Sequence, residues 1–351
     1  MTNRLLEINN LKVHFPIRSG MLKRVSGYVK AVDGVSFHIN EGETLGLVGE
    51  SGSGKTTVGR SILRAIDPTE GDILFYPNGQ DYNLSTLSHK MLRKIRPTMQ
   101  MIFQDPYSSL SPRMTIRDII AEPLVATNGV AGEKMSRQEI DDRVREISEH
   151  CKINLEYLRR FPHAFSGGQR QRIGIARALA PKPKLIICDE SVSALDVSIQ
   201  AEILNLLMDL QDEFGLTYLF IAHDLSVVAH IADRVAVMYL GQLVELAPTK
   251  HLFYSPKHPY TEALMSAIPE VDPRKPMQPL LLEGEIPNPA NPPSGCRFHT
   301  RCRYVQDRCK QEEPEWREYE PEHFVKCHFT EELTLKGIAI ETENIETNRK
   351  N

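Results

Sequence analysis

Five short apolar runs punctuate the chain: Thr44 to Val48, Met99 to Phe103, Leu185 to Cys188, Tyr218 to Ala222 and Arg234 to Tyr239. Each is too short for a buried helix and lacks polar alternation, so each predicts a strand covered on both faces. Between several of them the period changes. From Val197 to Phe214, Ile199, Ile203, Leu206, Leu207 and Leu210 recur at three- and four-residue spacing, which predicts an amphipathic helix. Lys55 to about Leu63 predicts another, directly after the first strand. Strands alternating with helices imply an α/β core with a mainly parallel sheet. Between about 105 and 165 the strand signal disappears and helical segments such as Gln138 to Cys151 replace it, which predicts a helical subdomain inserted in the core.

Composition narrows the class. The 351 residues can bury a large core and hold more than one domain. With 42 basic and 46 acidic side chains the formal charge is -4, which gives no global signal for nucleic acid. No apolar run approaches the roughly 20 residues that cross a bilayer, and Met1-Thr2-Asn3-Arg4-Leu5 lacks a signal-peptide stretch. A cytoplasmic chain is expected, with any membrane role exercised through partners. In that reducing setting the six cysteines do not read as a disulfide framework.

Chemistry clusters at the strand ends. The first strand runs into Gly49-Glu50-Ser51-Gly52-Ser53-Gly54-Lys55-Thr56, followed by Thr57, which fits the phosphate-loop pattern. Glycines let consecutive amides approach phosphate oxygens, and the following helix adds its positive end. Lys55 is suited to the β- and γ-phosphates and the Thr56 hydroxyl to magnesium. The third strand delivers Asp189 and Glu190 at its carboxyl end, where α/β sheets bind ligands. Asp189 suits the magnesium shell, and Glu190 suits orienting or deprotonating a water. Ser166-Gly167-Gly168-Gln169-Arg170-Gln171-Arg172 opens a helix through Ile173, Ala176 and Leu179. Ser166 is a good N-cap, and the exposed amides make a second anion site.

Together these motifs resemble the ATPase subunits of ABC transporters over roughly the first 250 residues. The resemblance implies a P-loop NTPase core with an N-terminal antiparallel β edge, ATP and Mg2+ as cofactors, and an ATP hydrolase coupled to transport. It assigns Gln104 to the magnesium shell and His223 to the γ-phosphate and attacking water. Ser193-Ala194-Leu195-Asp196 resembles the family's D-loop. Ser191 stands where the family commonly has proline, which implies a change in turn rigidity and not in chemistry. The adenine-stacking aromatic is Tyr28, with Phe15 as its rival. Because each signature helix in this family closes over ATP held by the other subunit, Ser166 to Gln169 act in trans. One motif set per chain implies a second ABC ATPase, expected as a heterodimer partner.

Beyond 250 the character changes. Pro248 to Pro293 holds 11 of the 23 prolines, which speaks against regular helix or central strand. His258-Pro259-Tyr260-Thr261-Glu262-Ala263-Leu264 and Asn291-Pro292-Pro293-Ser294-Gly295-Cys296 resemble the extension of oligopeptide and dipeptide permease ATPases. That resemblance implies a peptide importer at the cytoplasmic face of the membrane. Its partners would be two transmembrane permease subunits and, through the complex, an extracytoplasmic peptide-binding protein. Nickel, opines or glutathione are alternative cargoes. A soluble ABC ATPase of DNA repair or translation would carry two motif sets or a long coiled coil, and a metal-sensing regulator is a third class. Cys296, Cys302, Cys309 and Cys327, with five, six and seventeen residues between neighbours, suggest a metal site. They resemble the segment that carries a [4Fe-4S] cluster in some of these ATPases; zinc and free thiols stay open. The expected division is 1–250 nucleotide-binding domain with the helical subdomain at about 105–180, then 251–330 extension, then 331–351 disordered tail. The acid-free basic stretch Lys12 to Lys30 reads as a solvated insertion between edge strands, with anionic lipid as its alternative.

Overall fold

A computed structural model describes residues 3–20, 23–130, 134–268, 280 and 282–338. The chain divides into two compact units that interleave along the sequence. One comprises Met1–Leu6, His38–Glu43 and Leu74–Ile221; the other comprises Glu7–Phe37, Thr44–Ile73 and Ala222–Asn351. Strands Arg4–Ser19, Arg24–Asn40, Glu70–Phe75 and Tyr82–Asn83 form the N-terminal sheet, and the last two pair antiparallel.

In the first unit Leu185–Asp189 lies parallel to Met99–Ile102 on one side and to Thr217–Ala222 on the other. Leu185 to Cys188 are fully buried, as their unbroken apolar run predicts. The strand-free stretch holds the helices Ile116–Thr127 and Arg137–His150, which pack on Gly167–Leu179. Ser136 and Glu139 close a capping box at the start of Arg137–His150. The buried Arg143 on that helix donates at 3.1 Å to the carbonyls of both Leu179 and Ala180. A cation therefore closes the C-terminal end of the Gly167–Leu179 helix, where the macrodipole favours it.

In the second unit Thr44–Val48 runs parallel to Arg234–Tyr239, which turns back antiparallel into Gln242–Pro248. The C-terminal extension continues this sheet. His323–Val325 pairs antiparallel with Gln242–Pro248, and Arg317–Glu320 pairs with His323–Val325. Prolines do not exclude helix here: Thr249–Tyr254 follows Pro248, and Pro259 occupies the first turn of Pro259–Ser266. At that position its missing N–H costs no helical bond. Glu245, fully buried on the strand, explains why the extension folds back. Its carboxylate accepts the Lys257 and His258 N–H groups and meets the His323 ring at 2.8 Å. A buried carboxyl group is tolerable when so thoroughly hydrogen-bonded.

The expected disordered tail does not begin at 331. Lys336 N–H bonds Glu262 and Ile338 N–H bonds the Phe253 carbonyl, so backbone polar groups hold 331–338 against the extension. The rest of that tail lies outside the described residues. No helix among the described residues is long and apolar enough to cross a membrane.

Candidate nucleotide site

The buried strand Thr44–Val48 ends at Gly49, and the loop closes at Gly54, the N-cap of helix Lys55–Ile62. Gly54 is left-handed at φ 107°, and a Cβ there would lie 2.1 Å from the Ala31 carbonyl oxygen. A Cβ on Gly49 would lie 2.1 Å from the Met238 carbonyl oxygen. Only glycine fits either position. No side chain caps the Lys55–Ile62 helix, which suits a helix start that receives an anion. The Lys55 ammonium is nearly buried and donates to the carbonyls of Gly49 at 2.6 Å and Glu50 at 3.0 Å.

Residues beyond 250 hold this loop. The Glu50 N–H donates to the buried Tyr260 hydroxyl at 2.9 Å, and the Glu50 carboxylate meets Arg301. Tyr260 packs in turn on Tyr239 and Phe298, with ring centroids 4.8 and 5.3 Å away. Burial pushes the Tyr260 phenol well above its ordinary range and the His258 imidazole down to about 3. His258 stays neutral, so its Nδ1 accepts the Tyr260 N–H at 3.1 Å. Tyr260→Phe should lower unfolding free energy by about 1–2 kcal/mol, because the Glu50 N–H loses its acceptor; urea denaturation of both proteins measures it.

Tyr28 and Phe15 are both exposed. The His14 ring bonds Asp33 at 2.9 Å and the Asn10 N–H bonds the Ser36 hydroxyl, so these neighbouring strands run antiparallel and Phe15 lies on the side of Asp33 towards Val32. Ala31 is the residue that meets Gly54, whereas Tyr28 lies three positions further along its strand, about 10 Å away. His223 is exposed in the same unit, and Asp224 caps the following helix through the Ser226 N–H.

The other unit assembles the acidic and signature groups. Asp189 is buried at its strand's end; Glu190 follows at φ 47°, its N–H bonded to the Ile221 carbonyl at 2.9 Å. The Gln104 side-chain amide donates to the Glu190 carboxylate at 2.8 Å, so these two distant residues do meet. Ser191 is buried in the turn that follows. Ser166 caps its helix in a capping box with Gln169. A Cβ on Gly168 would lie 2.4 Å from Ile199, so the turn packs closely on the helix that Asp196 caps. Arg170 donates to the Pro162 carbonyl at 2.9 Å and lies 4.0 Å over the Tyr107 ring; Arg172 reaches Glu202 at 2.9 Å. Both arginines brace the signature helix. Ser193, Ala194 and Asp196 are exposed, and Leu195 lies 3.5 Å from a Cβ built on Gly167.

Cys296, Cys302, Cys309 and Cys327 line one small apolar cavity with His299 and His328. Burial pushes the thiols of Cys296 and Cys302 up, to about 11 and about 12. Among the described residues, no three His, Cys, Asp or Glu groups are arranged to hold a metal ion. Neither zinc nor a [4Fe-4S] cluster is supported by that arrangement. Cys151 and Cys188 are wholly buried with thiols raised to about 12, as packing residues should be.

Known proteins give the same pattern. The ABC transporter family profile matches residues 32–193, and that of the oligopeptide/dipeptide transporter C-terminal region matches 244–309. The oligopeptide transport ATP-binding protein AppF of Bacillus subtilis (strain 168) is 54% identical over 327 residues, covering 92% of this chain and 97% of AppF. A putative peptide import ATP-binding protein of Brucella ovis is 52% identical over 323 residues, covering 92% and 97%. Among solved structures, the dimeric ATP-binding cassette MJ0796 in a post-hydrolysis state with ADP and Pi aligns with a TM-score of 0.59 at 28% identity. It covers 70% of this chain and 99% of that one.

Proposed function

The chain belongs to the ATP-binding proteins of ABC transporters, and from that premise we propose that it hydrolyses ATP to drive uptake of oligopeptides or dipeptides. The observation that carries the cargo is the extension at 244–309, which matches the oligopeptide/dipeptide transporter region and is built into the sheet of the phosphate loop. Cargo touches other subunits, so the extension, not the ATPase core, supports a peptide over nickel, opines or glutathione.

In this reading Gly49 to Thr57 cradle the triphosphate and Lys55 leaves the loop carbonyls for the phosphates. The family resemblance assigns Thr56, Gln104 and Asp189, each an oxygen donor, to Mg2+, which would neutralise charge on the phosphates when bound. Glu190 takes a proton from the attacking water, His223 meets the γ-phosphate, and Gln104 releases Glu190 as nucleotide enters. Of the two candidate aromatics, Tyr28 and its rival Phe15, we favour Phe15 as the one offered to adenine, because the His14–Asp33 bond brings it towards the strand segment that meets Gly54. Ser166 to Gln169 close over ATP on a second ABC ATPase, a different one, with Ser193 to Asp196 beside them. The pair sits at the cytoplasmic face on two permease subunits, supplied by an extracytoplasmic peptide-binding protein. The four cysteines around one cavity have the donor types of a [4Fe-4S] cluster, though no assembled site among the described residues, and in this reading would hold it as a structural staple of the extension. Iron and sulfide analysis of anaerobically purified protein tests that assignment.

Deleting the chain from its host should abolish uptake of labelled di- and oligopeptides and leave nickel uptake at the parental rate. The reverse pattern overturns the peptide reading.

A further inference from the structure

Glu50 places a negative charge inside the loop that binds a polyanion, and the Cys-rich segment supplies its counter-charge. Arg301 grips the Glu50 carboxylate with both terminal guanidinium nitrogens, Nη1 at 2.6 Å and Nη2 at 3.1 Å. The Arg301 side chain is 6% exposed and its guanidinium lies 5.9 Å over the Tyr239 ring, so it is fixed before nucleotide arrives. The bond spans 251 residues and starts immediately before Cys302. A second arginine repeats the device. Arg297, immediately after Cys296, is paired with Asp33 and donates to the Leu240 carbonyl at 2.6 Å. Asp33 lies two residues from Ala31, which touches Gly54.

We infer that Arg301 is a positioning residue of the nucleotide site, neutralising Glu50 and fixing the phosphate loop from the Cys-rich segment. This rests on reading Gly49 to Thr56 as the triphosphate cradle. The physical need is direct. A carboxylate without a counter-charge in a partly desolvated loop repels phosphate oxygens, whereas a bidentate guanidinium cancels that field and holds the backbone in one geometry. Arg297 anchors the same segment behind the strand that meets Gly54, so Arg301 has a rigid base.

The test uses the full-length chain, with MgATP displacing a fluorescent ATP analogue. Arg301→Met should weaken MgATP binding about tenfold, since the carboxylate is left unneutralised. Adding Glu50→Gln to Arg301→Met should restore affinity to within about threefold of the parent, because the repelling charge is gone. Arg301→Lys, which keeps the charge without the fork, should lose about threefold or less. In the assembled transporter Arg301→Met should raise KM for ATP about tenfold, with kcat within about twofold. Parental affinity in Arg301→Met, or no recovery in the double variant, overturns the inference. If Arg301→Met does not fold, Glu50→Gln alone decides: parental or tighter binding supports neutralisation, and about tenfold weaker binding refutes it. Lys55→Ala run alongside separates the two levels. Intact binding there refutes the cradle itself, whereas lost binding there with parental binding in Arg301→Met refutes only the role of Arg301.

Discussion

Replacing Glu190 with glutamine should cut ATP turnover by about two to three orders of magnitude while MgATP binding is kept. The isostere preserves an oxygen that accepts the Gln104 amide, now 2.8 Å from the carboxylate, so the local structure is retained. It also keeps the φ of 47° and the N–H bond to Ile221, which are backbone properties of the turn. What is lost is the group proposed to accept a proton from the attacking water. Single-turnover hydrolysis beside equilibrium binding separates the two effects; wild-type turnover in Glu190→Gln would assign the base elsewhere.

Lys55→Ala should act one step earlier and weaken MgATP binding about a hundredfold. The Lys55 ammonium is nearly dehydrated and satisfied by the Gly49 and Glu50 carbonyls, so it can exchange those bonds for phosphate oxygens without first shedding bulk water. Charge-assisted bonds to phosphate contribute about 1.5–3 kcal/mol each, and losing one or two gives that factor. Displacement titration of the fluorescent ATP analogue measures it, and an affinity within about threefold of the parent would contradict it.

The parts of this site that were legible in the sequence share a local cause. Apolar runs of strand length gave Thr44–Val48 and Leu185–Asp189, and glycines that no other residue could replace gave the loop between Gly49 and Gly54. Ser166 and Gln169, three apart, gave a helix start because a capping box is a local bond pair. The rest depends on contacts between distant positions. Nothing around Arg301 or Tyr260 marks either as a partner of Glu50, since the pairing becomes visible only when the extension folds onto the sheet. The strands Arg317–Glu320 and His323–Val325 are short, and the bond between His323 and Glu245 joins residues 78 apart in the chain. The choice between Tyr28 and Phe15 likewise turns on which residue lies nearer Ala31, a matter of strand register. Prolines misled for a simpler reason: Pro259 at a helix start is compatible with the helix that its neighbours build.

In the proposed function the Ser166 turn of one ATPase closes over triphosphate held by the other. Gly167 is the position to probe. A Cβ there would meet Leu195 at 3.5 Å and Tyr107 at 3.9 Å, ordinary contacts that leave the fold intact, unlike Gly168. An aspartate at 167 would set a negative charge at the helix start that should receive phosphate. The decisive measurement is the ATP-dependent distance between spin labels on the two ATPase subunits of the assembled transporter, in a Glu190→Gln background. ATP should shorten this distance in the parent and leave it unchanged in Gly167→Asp; equal closure in both would mean that the Ser166 turn does not close over the partner's nucleotide.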